Sequence, residues 1–170
     1  MAVSKNETQE QITKRVEKLL KMAGISRLPV DVEKVASQLG VDIKYQSYDG
    51  KFSGVLIRHG DRATIGVNSQ HHPNRQRFTI AHEIGHYLLH QGDLMVDKTI
   101  SVNYRGNDTH IDYQKEREAN LFASELLMPT KLLSKDLNKY QIDLDDEDQI
   151  KELASKYQVS QQAFMIRLAH

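Results

Sequence analysis

The spacing of apolar positions changes twice along this chain, from helical to strand-like and back to helical. Between Glu10 and Met22, the residues Ile12, Val16, Leu19 and Leu20 recur at short helical intervals with Lys and Arg between them, which predicts an amphipathic helix stopped by Gly24. LPVDVEKVASQLG follows, with Asp31 near its start and Gly40 as a stop, and predicts a short second helix carrying Val32, Val35, Ala36 and Leu39. From Val41 to Asn68 the period shortens. VDIKYQ, FSGVLIR and ATIGVN are separated by Asp49-Gly50 and by His59-Gly60-Asp61, the pattern of a three-stranded antiparallel meander. Helical spacing returns after Pro73 and runs from Asn74 to His90. Residues 91–112 mix Gly, Asn, Asp and Thr with isolated apolar positions and predict no regular element; a loop of that length inside a compact domain is often functional. A further helix from Tyr113 to Met128 is stopped by Pro129, and shorter ones are expected over 130–138, 146–157 and 160–168. Helices, then a small sheet, then helices form an α+β arrangement.

The length of 170 residues suits a single domain, with residues 1–27 adding an N-terminal helix to a body of 28–170. Lys plus Arg and Asp plus Glu both number 23, so there is no basic excess of the kind that phosphate contacts require, and nucleic acid is not expected as a direct partner. The absence of cysteine excludes disulfides, thiolate nucleophiles and Cys-type zinc sites, leaving His and carboxylates as the only strong metal donors. No segment approaches the ~18 uninterrupted apolar residues of a membrane span, and MAVSKNETQEQITKRV has no apolar signal core. The expectation is a cytoplasmic protein with no membrane partner.

Against that background, FTIAHEIGHYLLH at residues 78–90 stands out. On a helix, His82 and His86 lie on one face a turn apart and can aim two imidazoles at one point. Glu83 sits about 100° round from His82 and about 60° from His86, within reach of a water at the open position of a bound metal without itself ligating. Ile80, Ile84, Tyr87 and Leu88 are uncharged at core-facing positions, and Gly85 allows a close neighbour. Two imidazoles leave Zn²⁺ two positions short of tetrahedral, one for a further protein ligand and one for water.

The third ligand separates the classes. A metzincin needs Gly at 89 and His at 92, where this chain has Leu89 and Gly92. His90 continues the series but lies roughly 12 Å along a straight helix from His82, too far to share an ion; it is placed behind the site or as plain structure, the simpler reading. Downstream, KEREANLFASELLMP places Glu116 and Asn120 four apart on one side of a helix. That is the Glu-x-x-x-(Asp/Asn) arrangement of gluzincins, in which the glutamate completes the zinc site and the later residue hydrogen-bonds a ligand histidine. Glu118, pointing about 200° away from Glu116, is the weaker alternative.

FTIAHEIGHYLLH followed by EREANLFASELLMP resembles the ImmA/IrrE family of metallo-endopeptidases. LPVDVEKVASQLGVDI and LASKYQVSQQAFMIRL extend the likeness over most of residues 28–168. The resemblance implies a zincin-like fold, His82, His86 and Glu116 as zinc ligands, and Glu83 as catalytic base. It also implies a protein substrate: a helix-turn-helix repressor of a mobile element or stress regulon, expected here as a separate polypeptide encoded nearby.

In the expected reaction Glu83 takes a proton from the attacking water and hands it to the leaving amine. Mn²⁺ or Fe²⁺ suit the same donors as Zn²⁺. Tyr87, His90, Tyr104, Arg105 and His110 are candidates to contact substrate or the developing oxyanion. ATIGVN is expected to be an exposed edge along which a substrate strand adds. Two rival readings differ in class: a zinc-binding toxin, sensor or interaction module with little peptidase activity, and a DNA-binding regulator using VSQQAFMIRLAH as a recognition helix. Against the latter, residues 151–168 carry only Lys151, Lys156 and Arg167 beside Glu152. DLDDEDQ at 143–149 lacks the Gly and terminal Glu of a calcium loop and reads as a solvated turn and helix start.

Overall fold

The computed structural model describes residues 5–49, 51–90, 94–98 and 109–169. Each helical pattern folds as a helix: α1 (Lys5–Met22), α2 (Val32–Gln38), α3 (Pro73–Leu89), α4 (Thr109–Leu127), α5 (Thr130–Tyr140), α6 (Glu147–Tyr157) and α7 (Gln161–Leu168). The starts follow from local chemistry. Asp31, Asp146 and Ser160 accept from the backbone N–H three residues on, at 2.9, 3.0 and 3.0 Å, and so cap α2, α6 and α7. Asp146 thus gives part of the acidic run a structural task. α1 buries the stripe Ile12, Val16, Leu19 and Leu20, as its spacing predicts.

The expected antiparallel meander is corrected. β1 (Val41–Gln46), β2 (Phe52–His59), β3 (Arg62–Asn68) and β4 (Leu94–Lys98) form a four-stranded sheet in the order β1-β3-β2-β4. β2 and β3 are an antiparallel hairpin through Gly60, whose φ of 57° a side chain would resist, but β1 pairs with β3 in parallel. The chain leaving β1 therefore re-enters the sheet as β2 on the far side of β3. Asn68, 1% exposed at the end of β3, fastens that crossing: its Nδ2 donates to the Tyr48 and Phe52 carbonyls at 3.1 and 2.8 Å. ATIGVN is consequently an inner strand and not the expected edge, which suits its near-continuous burial, while the exposed pattern of β1 suits an edge. β4 arises in the segment that predicted no regular element, and pairs antiparallel with β2.

α3 packs against the sheet on one side and against α4 on the other, with α1 covering α4. This accounts for the burial of eight successive α3 residues, Thr79 to His86, a run no single-faced helix would show. In the last turn of α4, Glu125 receives the Thr130 N–H at 2.9 Å and the Arg167 guanidinium at 2.6 Å, tying α7 to the start of α5. Lys156 Nζ lies 2.8 Å from Asp136 Oδ2. Two of the three basic residues over 151–168 are thus engaged in internal ion pairs. Among the described residues, no helix is long and apolar enough to cross a membrane.

Candidate metal centre

Pro73 starts α3 at a position where its missing N–H costs nothing, and His72 Nδ1 accepts from the Asn74 N–H at 3.2 Å. Two turns later the helix enters the core. His82, Glu83 and His86 are 2%, 0% and 1% exposed. Opposite them α4 presents Glu116, whose two carboxylate oxygens divide between the imidazoles: Oε2 lies 3.2 Å from His82 Nε2 and Oε1 lies 3.0 Å from His86 Nε2. The two Nε2 atoms are 3.0 Å apart. Among the described residues, these three are placed so that they could hold a metal ion together.

The donor set fits a divalent cation. His82 Nδ1 stands 2.9 Å from Asn120 Oδ1; with the amide oxygen accepting, the ring proton is on Nδ1 and Nε2 carries a lone pair. Lone pairs on several nitrogens and oxygens, gathered in a buried space, repel one another unless a positive charge lies between them. Ligand atoms bonded at about 2.05 Å in a tetrahedral shell stand about 3.3 Å apart, and the separations of 3.0, 3.0 and 3.2 Å come close to that spacing. Burial would raise the Glu116 carboxyl above its usual value, but the two imidazoles facing it outweigh that and bring it down to about 2, so the group is an anion at neutral pH.

Comparison with known proteins agrees with the geometry. Residues 36–169 match the family of the IrrE N-terminal-like domain. The chain belongs to this family. It is 34% identical over 102 residues to the radiation response metalloprotease IrrE of Deinococcus radiodurans, covering 59% of this chain and 29% of that protein. It is 39% identical over 88 residues to the metallopeptidase ImmA of Bacillus subtilis, covering 48% of this chain and 46% of that one. The chain thus spans less than half the length of these relatives. A solved Mycobacterium tuberculosis transcriptional regulator shares the fold with a TM-score of 0.64 at 17% identity, over 94% of this chain and 46% of the other.

Within this IrrE-like domain the remaining candidates divide. Asn120 meets His82 directly, as the spacing of α4 predicts. His90 takes no place in the triad; it is buried and its Nδ1 approaches His86 Nδ1 at 2.9 Å. Tyr87 lies under the Arg58 guanidinium, 5.3 Å from ring centre to Cζ. Tyr104, Arg105 and the side chain of His110 lie outside the described residues.

Sequence reasoning missed three contributors. Glu118, the weaker ligand alternative, meets His90 Nε2 at 3.1 Å. Burial would raise its carboxyl, but hydrogen bonds from Gln114 and His90 prevail and lower it; burial also lowers His90. Gly54 of β2 lets the sheet press on α3, because a Cβ there would fall 2.3 Å from Thr79 Cγ2 and 3.7 Å from Glu83 Oε1. Arg58 donates to the carbonyls of His86, Tyr87 and His90 at 3.2, 2.8 and 2.9 Å, closing the end of α3. The glycine in FSGVLIR was the one available sign of a close approach.

Proposed function

We propose that this domain is a zinc-dependent endopeptidase in which His82, His86 and Glu116 hold the metal and Glu83 is the catalytic base. The observation that carries the reading is the convergence of two imidazole Nε2 atoms and one carboxylate within 3.0 to 3.2 Å of one another. Two nitrogens and an oxygen suit Zn²⁺ and leave one position open. A cation held there supplies Lewis-acid polarisation of a scissile carbonyl and acidifies water. Glu83, next to His82 on the same helix, accepts the proton of the attacking water at its carboxylate. As the new C–O bond forms and the C–N bond breaks, it returns that proton to the leaving nitrogen. Asn120 holds the His82 ring in place throughout.

The substrate inferred from the family likeness is a protein, a helix-turn-helix repressor encoded nearby. With β3 inside the sheet, the edge nearest Glu83 is β4: it pairs with β2, whose Gly54 faces Glu83. An extended substrate segment adding to β4 would pass the triad. Coexpression with the neighbouring gene product, wild type against Glu83→Gln, tests the reading by mass spectrometry of fragments and by metal content. Glu83→Gln is expected to keep zinc and produce no fragments. Cleavage by the variant would remove Glu83 from the mechanism, and zinc without any cleavage by wild type would favour a metal-binding module.

A further inference from the structure

His90 has no part in the reaction just described, yet both its ring nitrogens are engaged. Its Nε2 faces Glu118 Oε2 at 3.1 Å, and its Nδ1 faces His86 Nδ1 at 2.9 Å. Glu118 is itself held, since its Oε1 accepts from Gln114 Nε2 at 2.9 Å. His90 reaches back because it leaves the helix: as the C-cap of α3 it is extended, with φ −125° and ψ 154°, and its carbonyl is pinned by Arg58 at 2.9 Å.

The positions of the ring protons follow link by link. A carboxylate only accepts, so His90 Nε2 carries a proton. In neutral His90 the Nδ1 is then bare and accepts from His86 Nδ1–H. That leaves His86 Nε2 with its lone pair, aimed at the point shared with His82 Nε2 and Glu116 Oε1, each 3.0 Å away. Were His90 to donate from both nitrogens, the His86 proton would sit on Nε2, where a metal ligand must be bare.

We propose that Glu118 and His90 form a positioning relay that locks His86 in its Nδ1–H tautomer and so presents Nε2 as a ligand. Asn120 performs the same task for His82 in one step; His86, near the end of α3, is served in two. The inference rests on the triad being a metal site, as proposed above.

The test uses the zinc-loaded protein and two readouts, zinc affinity by competition with a chromophoric chelator and long-range ¹H–¹⁵N NMR of the imidazole nitrogens. In the unsubstituted protein, His90 is expected as the Nε2–H tautomer and His86 as Nδ1–H. Finding His90 protonated on Nδ1 would overturn the relay, and this measurement needs no variant to fold. Glu118→Ala is expected to weaken zinc about 10- to 100-fold. Glu118→Gln, whose amide oxygen still accepts from His90, is expected to retain most of the affinity. Undiminished affinity in Glu118→Ala, or equal losses in both variants, would overturn it. His82→Ala separates the two levels of the argument: it is expected to abolish zinc binding, and zinc retained there would overturn the triad and the relay with it.

Discussion

Gly85 of α3 and Ala119 of α4 touch backbone to backbone: a Cβ added at Gly85 would stand 3.2 Å from both the Ala119 Cα and its carbonyl oxygen. This contact fixes how near Glu116 comes to His82 and His86, because Glu116 lies one turn from Ala119. Gly85→Ala gains up to about 1 kcal/mol of helix propensity, but overpacking typically costs ~1–3 kcal/mol, and a backbone neighbour cannot rotate aside. The expected outcome is a lower denaturant midpoint together with weaker zinc retention against a chelator. A stabilised variant with unchanged zinc affinity would show that the two helices approach under no such constraint.

The Arg58 guanidinium closes the C-terminal end of α3, sharing the His86 carbonyl with the His90 N–H and reaching those of Tyr87 and His90, where a cation is favoured by the helix dipole. Arg58→Met keeps the apolar stem and removes the donors. Hydrogen bonds to a charged group contribute about 1.5–3 kcal/mol, so the melting temperature should fall by roughly 5–10 °C for a chain of this size. Thermal unfolding followed by circular dichroism checks it; a shift within error would mean that the carbonyls find water instead.

The triad was legible in the sequence because its information is local. His82, Glu83 and His86 share one helix, Glu116 and Asn120 share another, and a 3.6-residue period states which of them face together. Sheet order was not legible, since Asp49-Gly50 signals a turn whether the strands beside it pair or cross, and the buried Asn68 contacts that decide the matter are tertiary. The contact of Glu118 with His90 was not legible for the same kind of reason. A helical wheel asks whether two residues reach one point, and Glu118 serves a second point that exists only because His90 leaves the helix axis.

Tyr157 gives the fold a measurable alkaline limb. Its ring is fully buried and its hydroxyl donates to Asp136 Oδ2 at 2.9 Å. Burial first, then that hydrogen bond, raises the phenol above its ordinary value of 10.0. A group raised on folding contributes stability that is complete below its unfolded value and lost as pH climbs through the folded one. Tyr157→Phe should therefore cost about 1 kcal/mol at pH 8, and the gap from the unsubstituted protein should narrow above pH 10. Urea midpoints at both pH values measure the gap; a constant difference would show that the phenol is not linked to folding.

Metal removal should cost stability as well as activity, because the triad assembles only when α3 and α4 are docked. An ion that binds the folded chain alone stabilises it by RT ln(1 + [L]/Kd), about 2.7 kcal/mol at a hundredfold excess over Kd. For a chain of this length that is roughly 5–10 °C in melting temperature. A strong chelator should lower the transition by that amount and added zinc should restore it. Glu83→Gln, which keeps all three donors, should shift in parallel with the unsubstituted protein. His82→Ala should melt at one temperature with or without chelator. A chelator response that persists in His82→Ala would place the bound ion elsewhere in the molecule.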